Sequence, residues 1–144
     1  MHILVINGPN LNLLGLREPE LYGRATYGDL VALLEAEAER LGVRLEIVQS
    51  NHEGELIDAI QGACNRVDGI IINPGAYTHT SIALLDALKA VALPAVEVHL
   101  TDPDKREEFR RLSYIRPACI GTIKGRGPQG YLDALHLLAG RLSR

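Results

Sequence analysis

Gly69-Ile70-Ile71-Ile72-Asn73-Pro74-Gly75 is the stretch that decides the fold of this chain. Three consecutive isoleucines leave no polar side to face water, and β-branched side chains favour an extended backbone, so the run reads as a strand buried on both faces. Pro74-Gly75 stops it abruptly. Such a strand needs a layer above and a layer below, and the flanking sequence offers both. Upstream, residues 53–64 carry Leu56, Ile57 and Ile60 at helical spacing; downstream, from about Thr80, Ile82, Leu85, Leu88 and Val91 recur in the same way.

Further out the alternation continues. Residues 2–7 form a compact apolar run ending in Gly8-Pro9, a second buried strand. A polar, glycine-containing loop extends to about Ala25. Thr26, three residues before Asp29, predicts a capping-box start to a helix with Leu30, Leu33, Leu34, Ala38 and Leu41 on one side and Gly42 as its stop. Val43, Leu45 and Ile47 then alternate with polar neighbours as a half-exposed strand. Pro94 opens a strand over residues 95–99, residues 119–123 give a fifth, and residues 131–142 the last helix. Five strands interleaved with helices predict an α/β fold, a five-stranded parallel sheet with helices on both faces, in one domain covering residues 1–144. Ligands of such sheets bind beyond the carboxyl ends of the strands, near the switch in strand order.

Composition narrows the function. A net charge of −3 gives no basic face for nucleic acid, and with no Trp and one Phe (Phe109) there is little to stack on bases. No apolar stretch approaches the ~20 residues of a membrane span, and the apolar start lacks the basic leader of a signal peptide, so a soluble, cytoplasmic protein is expected. Cys64 and Cys119 read as small buried hydrophobes, not a disulfide framework.

Three strand ends carry chemistry. The first ends in Asn7-Gly8-Pro9-Asn10, the third in Asn73-Pro74-Gly75 followed by Tyr77, Thr78, His79, Thr80 and Ser81, and the fourth in Glu97-Val98-His99-Leu100-Thr101. Amides, hydroxyls and two histidines therefore converge on one crevice. A phosphotransfer receiver domain would need carboxylates at the first and third strand ends; Asn7, Asn10 and Asn73 carry no charge. His79 and His99 lack a third ligand for zinc, so no metal and no cofactor is expected. Gly125, Gly127 and Gly130 fit a dinucleotide fingerprint but lie at the last strand, with too little chain after them for the βαβ unit; a tight turn into the last helix is the better reading. Lys89, Lys105 and Lys124 all lack the desolvated setting of a Schiff-base amine.

The motifs Gly8-Pro9-Asn10-Leu11-Asn12, Arg17-Glu18-Pro19-Glu20-Leu21-Tyr22-Gly23, Gln49-Ser50-Asn51-His52-Glu53-Gly54, Asn73-Pro74-Gly75-Ala76, Thr78-His79-Thr80-Ser81, Glu97-Val98-His99 and Arg106-Glu107-Glu108-Phe109-Arg110 resemble those of type II dehydroquinases, in order and over nearly the whole chain. The resemblance implies a flavodoxin-like fold and the cofactor-free conversion of 3-dehydroquinate to 3-dehydroshikimate, a shikimate-pathway step, by anti elimination of water through an enolate. It implies Tyr22 as the base, Arg17 as the cation beside it, His99 as the acid that protonates the departing hydroxyl, and Asn10 as the holder of a water near the enolate. Asn73, His79, Asp86, Leu100, Thr101 and Arg110 match substrate-binding positions, with Asp86 directed at a neighbouring subunit's site, and the family assembles as dodecamers of trimers. A tyrosine with an ordinary pKa of about 10 is rarely ionised at neutral pH, so a nearby guanidinium raises the fraction of phenolate. Imidazole can donate a proton near pH 7, and Glu97, two residues before His99 on the same strand face, is expected to orient it. The chain departs from the family at Thr101-Asp102-Pro103-Asp104-Lys105: Asp102 either weakens the binding of an anionic substrate or turns outward. The competing reading is a non-catalytic small-molecule binding or scaffold protein on the same fold.

Overall fold

The computed structural model describes every residue except Arg17, and every side chain except those of Arg17 and Tyr22. Strands β1 (His2–Asn7), β2 (Arg44–Gln49), β3 (Gly69–Asn73), β4 (Ala95–His99) and β5 (Gly121–Lys124) form one sheet in the order β2-β1-β3-β4-β5. Every pairing is parallel, and Asn7 stands beside Asn73 in the β1–β3 register.

The isoleucine run behaves as its composition requires. Ile71 points with Ile3, Val5, Val96 and Val98 into a core completed by helices α2 (Tyr27–Leu41) and α5 (Gln129–Leu142). Ile70 and Ile72 point with Leu4 and Ile6 the opposite way, against α3 (Glu53–Gly62) and α4 (Ile82–Val91). Burying each such side chain contributes roughly 1.5–3 kcal/mol, so both cores draw on the same three strands. α2 starts where the sequence predicts: the Thr26 hydroxyl accepts from the Asp29 N–H at 3.1 Å, the Thr26 N–H donates to the Asp29 carboxylate at 2.9 Å, and Gly42 ends the helix at φ +69°.

Two glycines let β1 and β3 end almost in contact. A Cβ on Gly8 would lie 2.3 Å from the Pro74 carbonyl oxygen, and the Gly8 N–H donates to the Asn73 carbonyl at 2.8 Å. Gly75 adopts φ +60° with the Pro9 carbonyl oxygen 3.0 Å from where its Cβ would be. Only a residue without a side chain fits either place.

Several expectations need correction. Cys64 is exposed and Cys119 half-buried, because Cys64 follows the end of α3 and points away from the sheet. Ile82 is 54% exposed: Ser81 caps α4, its hydroxyl accepting from the Leu84 N–H at 3.0 Å, and the buried side is centred on Leu84, Ala87 and Leu88. β5 begins at Gly121 rather than 119, since Cys119 still belongs to a 3-10 turn whose N–H bonds back to Arg116. The stretch read as loop up to Ala25 contains a 3-10 turn, Leu11–Leu13, and a single helical turn, α1 (Pro19–Tyr22), with Pro19 at its first position.

Candidate active site

β1 and β3 are neighbours whose following helices leave to opposite faces of the sheet, which opens a crevice between their carboxyl ends. The crevice is a cleft lined by Pro9, Asn10 and Leu11 beyond β1, by Asn73, Gly75, Ala76 and His79 at β3, and by His99, Leu100 and Thr101 at β4. Pro103, Arg106 and Arg110 form the remaining wall. The three strand ends singled out in the sequence do meet.

At β1 the chain turns through Asn10 in a left-handed conformation, φ +70°. The turn is held from β2: the Gln49 amide donates to the Gly8 carbonyl at 3.1 Å, and the Asn51 side chain accepts from the Asn10 N–H at 3.0 Å. The motif around Gln49 thus braces the motif around Asn10, and Tyr77 locks the brace by donating to the Asn51 carbonyl at 3.0 Å.

At β3, Asn73 is nearly fully buried. Its Oδ1 accepts from the Gly75 N–H at 3.1 Å and its Nδ2 donates to the Tyr131 hydroxyl at 2.9 Å. One amide N–H is left for the cleft. His79 places Nδ1 2.6 Å from the Leu112 carbonyl, so Nδ1 carries the proton and Nε2 remains as an acceptor. Burial pushes its pKa down, which keeps the ring neutral.

At β4, Glu97 is fully buried and accepts from His99 Nε2 at 2.6 Å, Ser113 Oγ at 2.7 Å, Arg116 Nε at 3.1 Å and Thr122 Oγ1 at 3.1 Å. Burial alone would raise its pKa; the bonds from His99, Arg116 and Ser113 outweigh that and hold it at about 2. An ionised carboxylate can only accept, so the Nε2 proton of His99 is committed to Glu97. Nδ1 is then the nitrogen through which the ring can exchange a proton with a bound molecule. Glu97 is therefore no surface carboxylate: it is 0% exposed.

Arg110 reaches the cleft with its Nε bonded to Glu107 at 2.7 Å and its guanidinium 5.1 Å from the Phe109 ring centre, so two fixed partners aim the cation. Arg106 lines the same wall. Two guanidiniums and a neutral imidazole suit a small anionic, hydroxylated molecule. Beyond the cleft, the N–H groups of Gly125 and Gly127, both at positive φ, donate to the Thr101 and Leu100 carbonyls at 3.1 and 2.9 Å. The glycine-rich segment is a turn, as read from the sequence, and it fixes the β4 end. Asp102 does not line this cleft but an adjoining one that shares Leu100, Thr101 and Arg106; its carboxylate caps the next turn, accepting from the Asp104 N–H at 3.0 Å, with Lys124 3.7 Å away. Lys124 also pairs with Asp104, which raises its pKa and keeps it protonated, the wrong state for a nucleophilic amine.

Not every expected residue joins the cleft. Asp86 is exposed on α4 and does not line it. Arg17 lies outside the described residues; Tyr22 ends α1, and its side chain lies outside them too. Sequence reasoning passed over Arg106, although it opens a motif already singled out. It also passed over Arg116, Ser113, Thr122 and Tyr131, for which no local pattern exists: their partners lie 16 to 124 residues away.

Sheet order and cleft define the class: a flavodoxin-like, doubly wound α/β protein with a polar cleft at its switch point. The sequence model of the family described as Dehydroquinase class II matches residues 1–139. The 3-dehydroquinate dehydratase of Clostridium acetobutylicum is 53% identical over 144 residues, covering 100% of both chains, and that of Corynebacterium glutamicum (strain R) is 57% identical over 137, covering 95% of this chain and 94% of that one. The crystal structure of the type II dehydroquinase from Butyrivibrio crossotus superposes with a TM-score of 0.95 at 48% identity, covering 96% of this chain and 97% of that one. The chain belongs to the class II dehydroquinase family.

Proposed function

We infer that the protein is a 3-dehydroquinate dehydratase of type II, a hydro-lyase that converts 3-dehydroquinate to 3-dehydroshikimate in the shikimate pathway. The observation that carries the chemistry is the buried Glu97–His99 pair opening onto the same cleft as Asn10, Asn73 and two arginines. In the reading we favour, His99 protonates the departing hydroxyl through Nδ1 while Glu97 holds the ring. Tyr22, made anionic beside Arg17, removes the proton next to the ketone. Asn10 holds a water against the forming enolate, whose negative charge is spread over hydrogen bonds instead of a metal. Arg110, Asn73, His79, Leu100 and Thr101 bind the substrate carboxylate and hydroxyls.

The reaction runs without metal or cofactor in one domain, residues 1–144. Among the described residues, no three His, Cys, Asp or Glu side chains converge as a metal set. Asp86, exposed on α4, serves a neighbouring subunit in a dodecamer of trimers, and the enzyme works in the cytoplasm. No described helix is long and apolar enough to cross a membrane.

The test is turnover of 3-dehydroquinate by chelator-treated protein, followed by the ultraviolet absorbance of the conjugated enone. Activity abolished in both Tyr22→Phe and His99→Ala is the expected result; activity retained in either overturns its assigned role. A Schiff-base route would instead be trapped by borohydride. Light scattering checks the assembly, with a mass twelve times that of the chain expected.

A further inference from the structure

Below the cleft, on the α2/α5 side of the sheet, four polar side chains from four elements form one directed chain of hydrogen bonds. It begins where the Gly75 N–H donates to Asn73 Oδ1 at 3.1 Å. Asn73 Nδ2 donates to the Tyr131 hydroxyl at 2.9 Å, and that hydroxyl donates to Asn7 Oδ1 at 2.7 Å. Asn7 Nδ2 continues to the Tyr27 hydroxyl at 3.4 Å. Asn7 and Tyr131 are fully buried and Asn73 nearly so. A tyrosine hydroxyl has one proton, and here Asn7 takes it, so the same oxygen can only accept from Asn73. The direction of the chain is therefore fixed, and each bond polarises the next.

This arrangement settles how the Asn73 amide faces the cleft. An asparagine can rotate its amide end for end, exchanging donor for acceptor. Here Gly75 claims the oxygen and Tyr131 claims one N–H, which leaves the second N–H as the group Asn73 can offer to a bound molecule. Burial pushes the Tyr131 pKa up, so its proton stays in place.

We propose that Tyr131, a residue of α5 outside the cleft, is a positioning residue for substrate binding, setting the Asn73 amide as a donor through the Asn73–Tyr131–Asn7 chain. This rests on the reading of Asn73 as a substrate-binding residue. Tyr131 acts on binding, whereas the acid His99 belongs to a separate set of bonds around Glu97, so the two parts of the reaction are held independently.

The test is a double-mutant cycle in the intact enzyme with 3-dehydroquinate. Tyr131→Phe removes one oxygen and keeps the ring; it is expected to raise KM by about tenfold with kcat within about twofold, the signature of lost binding shared by ground and transition states. In an Asn73→Ala background the same change is expected to shift KM by less than about twofold, because the amide it orients is gone. Asn7→Ala, which takes the acceptor from the Tyr131 proton, is expected to give a smaller rise in KM that also disappears in that background. It decides the matter alone if Tyr131→Phe does not fold. Equal effects of Tyr131→Phe with and without Asn73, or a fall in kcat at constant KM, overturn the proposal and leave Tyr131 a structural residue. Unchanged kinetics in Asn73→Ala itself would sink the reading of Asn73 rather than the wiring, and a hydroxyl-dependent turn of its amide would then have nothing to act on.

Discussion

The two faces of the sheet hold the cleft by different means. On the α2/α5 face, Asn7, Tyr131 and Asn73 are neutral and satisfy one another. On the opposite face, Glu97 is a buried charge that meets one imidazole, one guanidinium and two hydroxyls. Neutral networks are indifferent to salt and to pH across the middle range, while a buried carboxylate is stable only as long as its partners stay in register. The Asn7–Tyr131–Asn73 side is thus insulated from solution conditions, and the Glu97–His99 side is coupled to them.

The largest effect expected from breaking this contrast is on the charged side. Glu97→Gln keeps the shape but takes away the carboxylate that holds the His99 ring, and kcat should fall on the order of 10²-fold with KM little changed. Steady-state kinetics decides it; a kcat within twofold of the parent would mean that Glu97 only fills space. The acid side of the stability curve comes next. The Glu97 carboxyl is held at about 2 against an ordinary value of 4.5. Its contribution is therefore complete above about pH 4.5 and is lost as pH falls from there toward 2. Denaturant unfolding of parent and Glu97→Gln should differ by up to about 3 kcal/mol at neutral pH, a difference that shrinks through this window.

On the neutral side, Tyr131→Phe leaves Asn7 and one Asn73 N–H without a partner and should cost about 1–3 kcal/mol, the same at pH 5 and pH 8. A loss that varied between those two values would break the contrast. Because the Tyr131 pKa is raised, the parent alone should lose this stability as pH climbs above about 10, the ordinary tyrosine value. The smallest effect is expected from Arg116→Met. This side chain is 39% exposed, so its loss should lower kcat by less than about tenfold and move the onset of acid unfolding to higher pH by about half a unit.

What could be read from the chain was whatever repeats locally. The strands over residues 2–7, 69–73 and 95–99 have the predicted bounds, because apolar runs ended by glycine, proline or asparagine leave little choice. The capping box at Thr26 and the turn at Gly125 were legible for the same reason. Strand five was placed two residues early since Cys119 and Ile120 look extended, yet the first closes a 3-10 turn. Ile82 was assigned inward because spacing alone does not say which side of a helix meets the sheet. In the site, His99, Asn73, His79 and Arg110 could be named from motifs, whereas Arg116 and Tyr131 earn their places only through tertiary contact. The charged run after Asp102 hid the inward turn of Arg106 and left two readings of Asp102, whose carboxylate caps the next turn.

The bond from Tyr131 to Asn7 ties the last helix to the first strand, across 124 residues of chain. During synthesis Asn7 and Asn73 therefore stay without their shared partner when the walls of the cleft are complete; they must wait for a helix that contributes nothing to its lining. Until α5 arrives, Ile3, Val5, Ile71, Val96 and Val98 lack half their cover, and the nascent sheet carries an oily side that only the final segment seals.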